Sequence, residues 1–149
     1  MADNSRKIYT IKAGTQDAWK YVLDLLYPSI NPIQTEIFLC DSYISSSTLK
    51  LFSTFKGKIK KVKILTLKIT ENKAKFILHK SLCEVQLGME FEIKENPNVH
   101  DRFILYSYRN KCIMIGTSLN RLGNKDTTII DDGKAFKDKM KLFSERWVE

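Results

Sequence analysis

Glu36-Ile-Phe-Leu-Cys-Asp41, Ser45-Ser-Ser47 and Val62-Lys-Ile-Leu-Thr66 decide the fold class of this 149-residue chain. The first and third runs are short, apolar and bounded by turn residues, the pattern of strands buried in a sheet. The serines between them offer N-caps for a helix carrying Leu49, Phe52 and Phe55, which Gly57 closes. Strand, helix and strand in that order imply two parallel strands joined by a right-handed crossover, the repeating unit of α/β folds.

Working outward, residues 1–34 read as a strand-and-helix lead-in. From Asp17, the residues Trp19, Val22, Leu23 and Leu26 recur at helical spacing until Pro28 ends the run. Downstream, Asn72 to Leu87 is predicted helical with Phe76, Ile77 and Leu82 facing inward. Glu90-Phe-Glu-Ile-Lys94 alternates as a strand with Phe91 and Ile93 inward. Arg102 to Tyr106 and Cys112 to Ile115 form a hairpin across the polar Ser107 to Lys111 turn. A last strand covers Thr127 to Ile130, before Asp131, Asp132 and Gly133. Phe136, Met140, Phe143 and Trp147 then lie at steps of four, three and four, one apolar face of a closing helix that packs on a core. The expectation is a single α/β domain over residues 1–149, with a mixed sheet flanked by helices.

Composition narrows the function. No apolar run approaches the ~20 residues of a membrane span, and MADNSRKIYT carries no apolar stretch of a secretory signal. Cys40, Cys83 and Cys112 are scattered without a CxxC pair, which fits small buried thiols in a reducing cytoplasm rather than disulfides or a zinc cluster. Neither a G-x-x-x-x-G-K-[ST] loop nor a G-x-G-x-x-G fingerprint occurs, so no nucleotide cofactor is expected, and no metal. The net charge of +8 favours a polyanion, with a DNA or RNA backbone ahead of an anionic membrane. Its densest run is Lys56-Gly-Lys-Ile-Lys-Lys-Val-Lys63. It reads first as a solvated turn entering a strand and second as a binding patch, with Lys58, Lys60 and Lys61 as candidate phosphate contacts.

Of the two histidines, His79 sits among Phe76, Ile77 and Leu78 on the predicted helix and reads as structural or exposed. His100 opens the hairpin in Asn98-Val-His-Asp-Arg-Phe103, and Gly116-Thr-Ser-Leu-Asn120 closes it. Two adjacent strands thus bring an imidazole and a guanidinium toward a turn rich in small donors, which suits an oxyanion. Arg102 can pair bidentately, Thr117, Ser118 and Asn120 supply neutral donors, and Gly116 would let the backbone approach the ligand. Each piece also has an ordinary counterpart, a polar strand start and a plain turn, and the residues alone favour that reading.

The combination resembles the phospholipase D superfamily signature, H-x-K-x₄-D followed by G-S-x-N. Ile37-Phe-Leu-Cys-Asp41-Ser-Tyr43 resembles its strand-then-D-x-Y element, Val62 to Thr66 its next strand, and Phe143-Ser-Glu-Arg-Trp147 its closing helix. The likeness covers about Thr35 to Trp147. It implies a phosphodiester reaction without a metal, in which one histidine attacks phosphorus and a second protonates the leaving oxygen. It also implies that His100, Arg102, Ser118 and Asn120 are catalytic, with Asp126 as the histidine's acidic partner. Since the signature occurs once, the implied site is shared across the axis of a two-fold homodimer. Three departures stand out: Arg102 replaces the lysine, Ser107 replaces the aspartate, and Gly-Thr-Ser-Leu-Asn is a looser form of the second motif. They fit either a weakened nuclease or a module that binds nucleic acid or a protein partner without cleaving. A phospholipid head group ranks below both, because the sequence offers no basic amphipathic helix to lie on a membrane.

Overall fold

The computed structural model describes residues 6–149; the first five residues of the predicted lead-in lie outside the described residues. Among these residues seven strands form one mixed sheet: β1 (Lys7–Ile11), β2 (Glu36–Ile44), β3 (Lys61–Ile69), β4 (Glu90–Glu95), β5 (Phe103–Tyr106), β6 (Lys111–Ile115) and β7 (Thr127–Asp131). Their spatial order is β1-β7-β6-β5-β2-β3-β4. The strands β2, β3 and β4 are mutually parallel, as the crossover pattern requires, and β5 turns the sheet antiparallel by pairing with β2. The predicted hairpin is β5–β6, and β7 and β1 extend it to the far edge. Among the described residues four helices flank the sheet: α1 (Ala18–Leu26), α2 (Ser46–Lys50), α3 (Lys73–Leu87) and α4 (Phe136–Trp147).

Side-chain alternation along the central strands divides the core into two layers. Ile37, Leu39, Val62, Ile64, Ile104 and Tyr106 join the cluster packed with α1, α2 and α3. Their neighbours Cys40, Leu65, Phe103 and Leu105 join a smaller cluster beneath α4. The closing helix is held by its aromatic stripe: Phe143 meets Phe38 edge-on at 5.3 Å and stacks on Trp147 at 5.6 Å.

Local chemistry fixes the helix ends. The amide of Ser45 donates to Thr48 Oγ1 at 3.2 Å, and the first amide of α2, at Ser46, donates to Glu71 Oε1 at 2.7 Å. Leu49, Phe52 and Phe55 are buried as expected, although the second half of the helix tightens into a 3₁₀ turn at Leu51–Phe55. Asn72 caps α3 by accepting from the Lys75 amide, and Gly88 ends it in the left-handed region. Within α3 the inward positions differ from the sequence expectation. Phe76 is buried, but Ile77 is 64% and Leu82 50% exposed, and Cys83 is the second buried residue. The physical reason is position: α3 covers the β4 edge of the sheet, so only one narrow line of the helix meets the core.

Because Phe143 is only 2% exposed and is the one fully buried side chain of α4, Phe143→Ala is expected to destabilise the fold by about 3–5 kcal/mol. Equilibrium urea unfolding checks this; a loss below about 1 kcal/mol would show that α4 is not a structural layer.

Candidate active site

The two motif halves meet where β2 and β3 end, β5 begins and β6 leaves the sheet. Cys40 pairs with Phe103 across β2 and β5, so Asp41 and Arg102 stand one step further along the same ladder. On the other side the Ile115 amide donates to the Arg102 carbonyl at 2.9 Å. Alternation turns Asp41 and Arg102 to the face that carries Leu39 and Ile104. After β6 the chain crosses back over this end of the sheet, and the Leu119 amide donates to Asp41 Oδ2 at 2.8 Å. The neighbouring Ser118 is only 1% exposed. Arg102, Asp41 and Ser118 thus converge, although 77 residues separate Asp41 from Ser118 in sequence.

The electrostatics of this corner are unbalanced. Burial pushes the Asp41 carboxyl above its ordinary range, against the hydrogen bonds from the Leu119 amide and the Ser118 hydroxyl and the nearby Arg102 charge. Arg102 Nε is a buried donor with no hydrogen-bond partner. The Ser118 hydroxyl misses ideal hydrogen-bond geometry but lies against the Asp41 carboxyl and is turned toward it. Folded proteins rarely leave a guanidinium donor unpaired, which marks Arg102 as the residue of this corner open to an anion.

The other predicted residues are placed as follows. His100 is exposed, and among the described residues its ring has no hydrogen-bond partner. Its segment borders a cavity of about 220 Å³ on the α4 side, shared with Cys40, Phe103 and Arg146. Asn120 lies exposed on the 3₁₀ turn Leu119–Arg121, and Thr117 is half-buried just before it. Asp126 contributes elsewhere: its Oδ1 accepts from the Ala13 amide at 2.8 Å, tying the β7 approach to the loop after β1. In the same loop pair, Gly123 has a φ of 95° and a side chain there would lie 2.6 Å from the Thr15 carbonyl, so only glycine fits. Gly116 packs closely on β7. A Cβ there would meet Thr127 and Thr128, so its small size serves the packing of β6 against β7.

Lys58, Lys60 and Lys61 do not line this corner. They precede or open β3, whereas Asp41 lies level with Thr66 near the end of β3. Lys61 is also paired with Glu92 at 2.9 Å. His79 takes a structural contact as expected, with Nδ1 3.3 Å from Ser46 Oγ and 3.9 Å from Glu71. Cys40 and Cys112 are unsuited to nucleophilic attack, because burial pushes both thiols up to about 12. The residue that sequence reasoning undervalued is Asp41. Its signal in the sequence is an aspartate closing an otherwise apolar run, Glu36 to Asp41.

No protein-family model and no curated protein matches the sequence. Solved structures do match. The polyphosphate kinase of Porphyromonas gingivalis superposes at TM-score 0.67 with 16% identity, covering 97% of this chain and 26% of its own. Nuc from Salmonella typhimurium, a phospholipase D family member, superposes at 0.59 with 14% identity, covering 96% of this chain and 95% of its own. The chain has the phospholipase D fold. NucT from Helicobacter pylori matches at TM-score 0.57 and 8% identity, again over 96% of this chain and 95% of its own. The chain therefore spans about a quarter of the kinase but nearly all of Nuc and NucT. Within this phospholipase D fold, the Asp41–Leu119 bond is what carries the second motif half onto the first.

Two substitutions separate the roles of Asp41. Asp41→Ala leaves the buried Leu119 amide unpaired and is expected to cost about 1–3 kcal/mol, whereas Asp41→Asn keeps an acceptor. Since the folded-state pKa of Asp41 lies above the ordinary 3.8, the folded chain holds a proton that the unfolded chain has released. Wild type should therefore lose stability relative to Asp41→Asn as pH rises from that value through the folded-state pKa. Urea unfolding of both proteins across the acid-to-neutral range checks it; parallel stability curves would contradict the burial of this carboxyl.

Proposed function

We propose that the chain is a phosphodiesterase of the phospholipase D type, a nuclease that works as a homodimer without a metal. The observation that supports this most is Arg102 Nε, a buried donor without a partner, in the corner where Ser118 of the other motif half meets Asp41. Arg102 donates to a phosphate oxygen, with Thr117, Ser118 and Asn120 around it. His100 then attacks phosphorus, forming an N–P bond as the bond to the leaving oxygen breaks. The second copy's His100 gives its proton to that oxygen. Water hydrolyses the phosphohistidine, and the same imidazole takes up the water's proton. His100 borders the α4-side cavity rather than the Arg102 corner of its own copy, so this reading needs a second copy on a two-fold axis to complete the site. In this reading Asp126 positions the loop after β1 and does not orient the histidine.

A second reading is a module that binds nucleic acid or a partner protein without cleaving it. It is favoured by the His100 ring, which no acidic group among the described residues holds in one tautomer, and by Ser107 in place of the family aspartate.

Labelled single- and double-stranded DNA and RNA, incubated with the protein in EDTA, distinguish the two. The first reading expects cleavage that His100→Ala abolishes while circular dichroism stays native. Ser118→Ala should slow turnover on the order of 100-fold through the lost donor. No cleavage by wild type, with equal salt-sensitive binding by wild type and His100→Ala, supports the binding module instead.

A further inference from the structure

At the end of the sheet remote from Arg102, the approaches to β2 and β3 enclose a pocket of about 340 Å³, lined by residues that include Asn31, Pro32, Thr35, Lys58 and Lys60. Both of its walls are built. On one, the Asn31 amide donates to the Tyr106 hydroxyl at 3.0 Å, and that hydroxyl donates to the Gln34 carbonyl at 2.6 Å. Tyr106 is itself fully buried, so the sheet's core fixes the loop. Asn31 Oδ1 closes the turn by accepting from the Ile33 and Gln34 amides. The other wall is anchored by buried Phe55 and Ile59. The two are joined at the Thr35 carbonyl, which accepts from the Lys60 and Lys61 amides at 2.8 and 3.1 Å.

The charge of this pocket is uncompensated. Glu36, Glu90 and Glu92 nearby are engaged by Lys61 and Lys63. Among the described residues, Lys56, Lys58 and Lys60 have no carboxylate within 4.0 Å, and all three are exposed. Lys58 lies over the Tyr27 ring, 5.6 Å from its centroid, and that ring stacks on Phe55. A cation is therefore held at the rim by an aromatic face, with no anion beside it.

We propose that this pocket is a second polyanion site, taking a backbone phosphate of DNA or RNA. Lys58 and Lys60 supply the charge, and the Asn31 and Thr35 side chains supply neutral hydrogen bonds. The proposal rests on the reading that the chain engages nucleic acid. It assigns the Lys56–Lys63 run a place apart from the Arg102 corner. Along β3 the two levels, Lys61 and Thr66, are separated by five residues, about 17 Å at 3.3 Å per residue. A nucleic acid that reaches both must exceed about five nucleotide steps.

The test is fluorescence anisotropy with a labelled duplex of about 20 base pairs, well beyond that distance, titrated at several NaCl concentrations. Wild type is compared with Lys58→Gln/Lys60→Gln, with Arg102→Gln and with the triple variant. The lysine variant is expected to bind more weakly and to lower the slope of log affinity against log salt by about 1–2. The triple variant should lose the sum of the two effects. Wild-type affinity and slope in the lysine variant would overturn the proposal. Normal duplex binding with lost retention on anionic phospholipid vesicles would also overturn it, in favour of a membrane contact. Unchanged binding by Arg102→Gln beside weakened binding by the lysine variant would remove the Arg102 reading and leave this pocket standing.

Discussion

The carboxylate of Asp41 holds the amide of Leu119, 78 residues later in the chain, and the candidate site depends on that one bond. Leu119 is fully buried against the α1–α3 core, so water cannot replace the acceptor. With the bond in place, the turn after β6 folds over the ends of β2 and β5, and Ser118 comes to rest in the same corner as Arg102. The cost is a carboxyl forced into a low-dielectric corner, which burial pushes toward its neutral form. Arg102 partly offsets that cost by its charge, yet its Nε remains without an acceptor. A corner that buries a carboxyl, a guanidinium edge and a hydroxyl while leaving the guanidinium Nε open is poor for stability alone, which is why the proposed phosphate is placed there.

Much of the fold was legible because the central strands carry short, unbroken apolar runs. Ile37 and Leu39 go to one layer and Cys40 to the other, so the strand reads as apolar throughout. The α4 stripe of Phe136, Met140, Phe143 and Trp147 was legible because one flat face of the sheet receives it. The failure at Ile77 and Leu82 has the opposite cause. At the edge of a sheet a helix buries a line rather than a face, and apolar residues on either side of it stay in solvent.

The site was legible only where its parts lie on neighbouring strands. Arg102 and Ser118 flank one hairpin, whose register sets Arg102 beside Ile115, three residues before Ser118. The distance of the lysine run from Arg102 was not legible, because position along the sequence does not reveal which end of the sheet a residue occupies. Lys58 to Lys61 enter a strand parallel to β2, whereas Arg102 enters β5, which runs antiparallel to it. Two strand entrances of opposite direction lie at opposite ends. Asp41 escaped for a related reason: its role is a long-range hydrogen bond, and no local pattern announces one.

The central claim is that Arg102 Nε–H and the Ser118–Leu119 turn beside it form the phosphate site. Its most direct test is a phosphate titration of ¹⁵N-labelled protein, following the Arg102 Nε–H and the Ser118 and Leu119 amide signals. The account predicts saturable shifts of all three that Ser118→Ala weakens and Arg102→Gln removes from the two amides. Saturable shifts confined to residues outside this corner, or none at all, would contradict it.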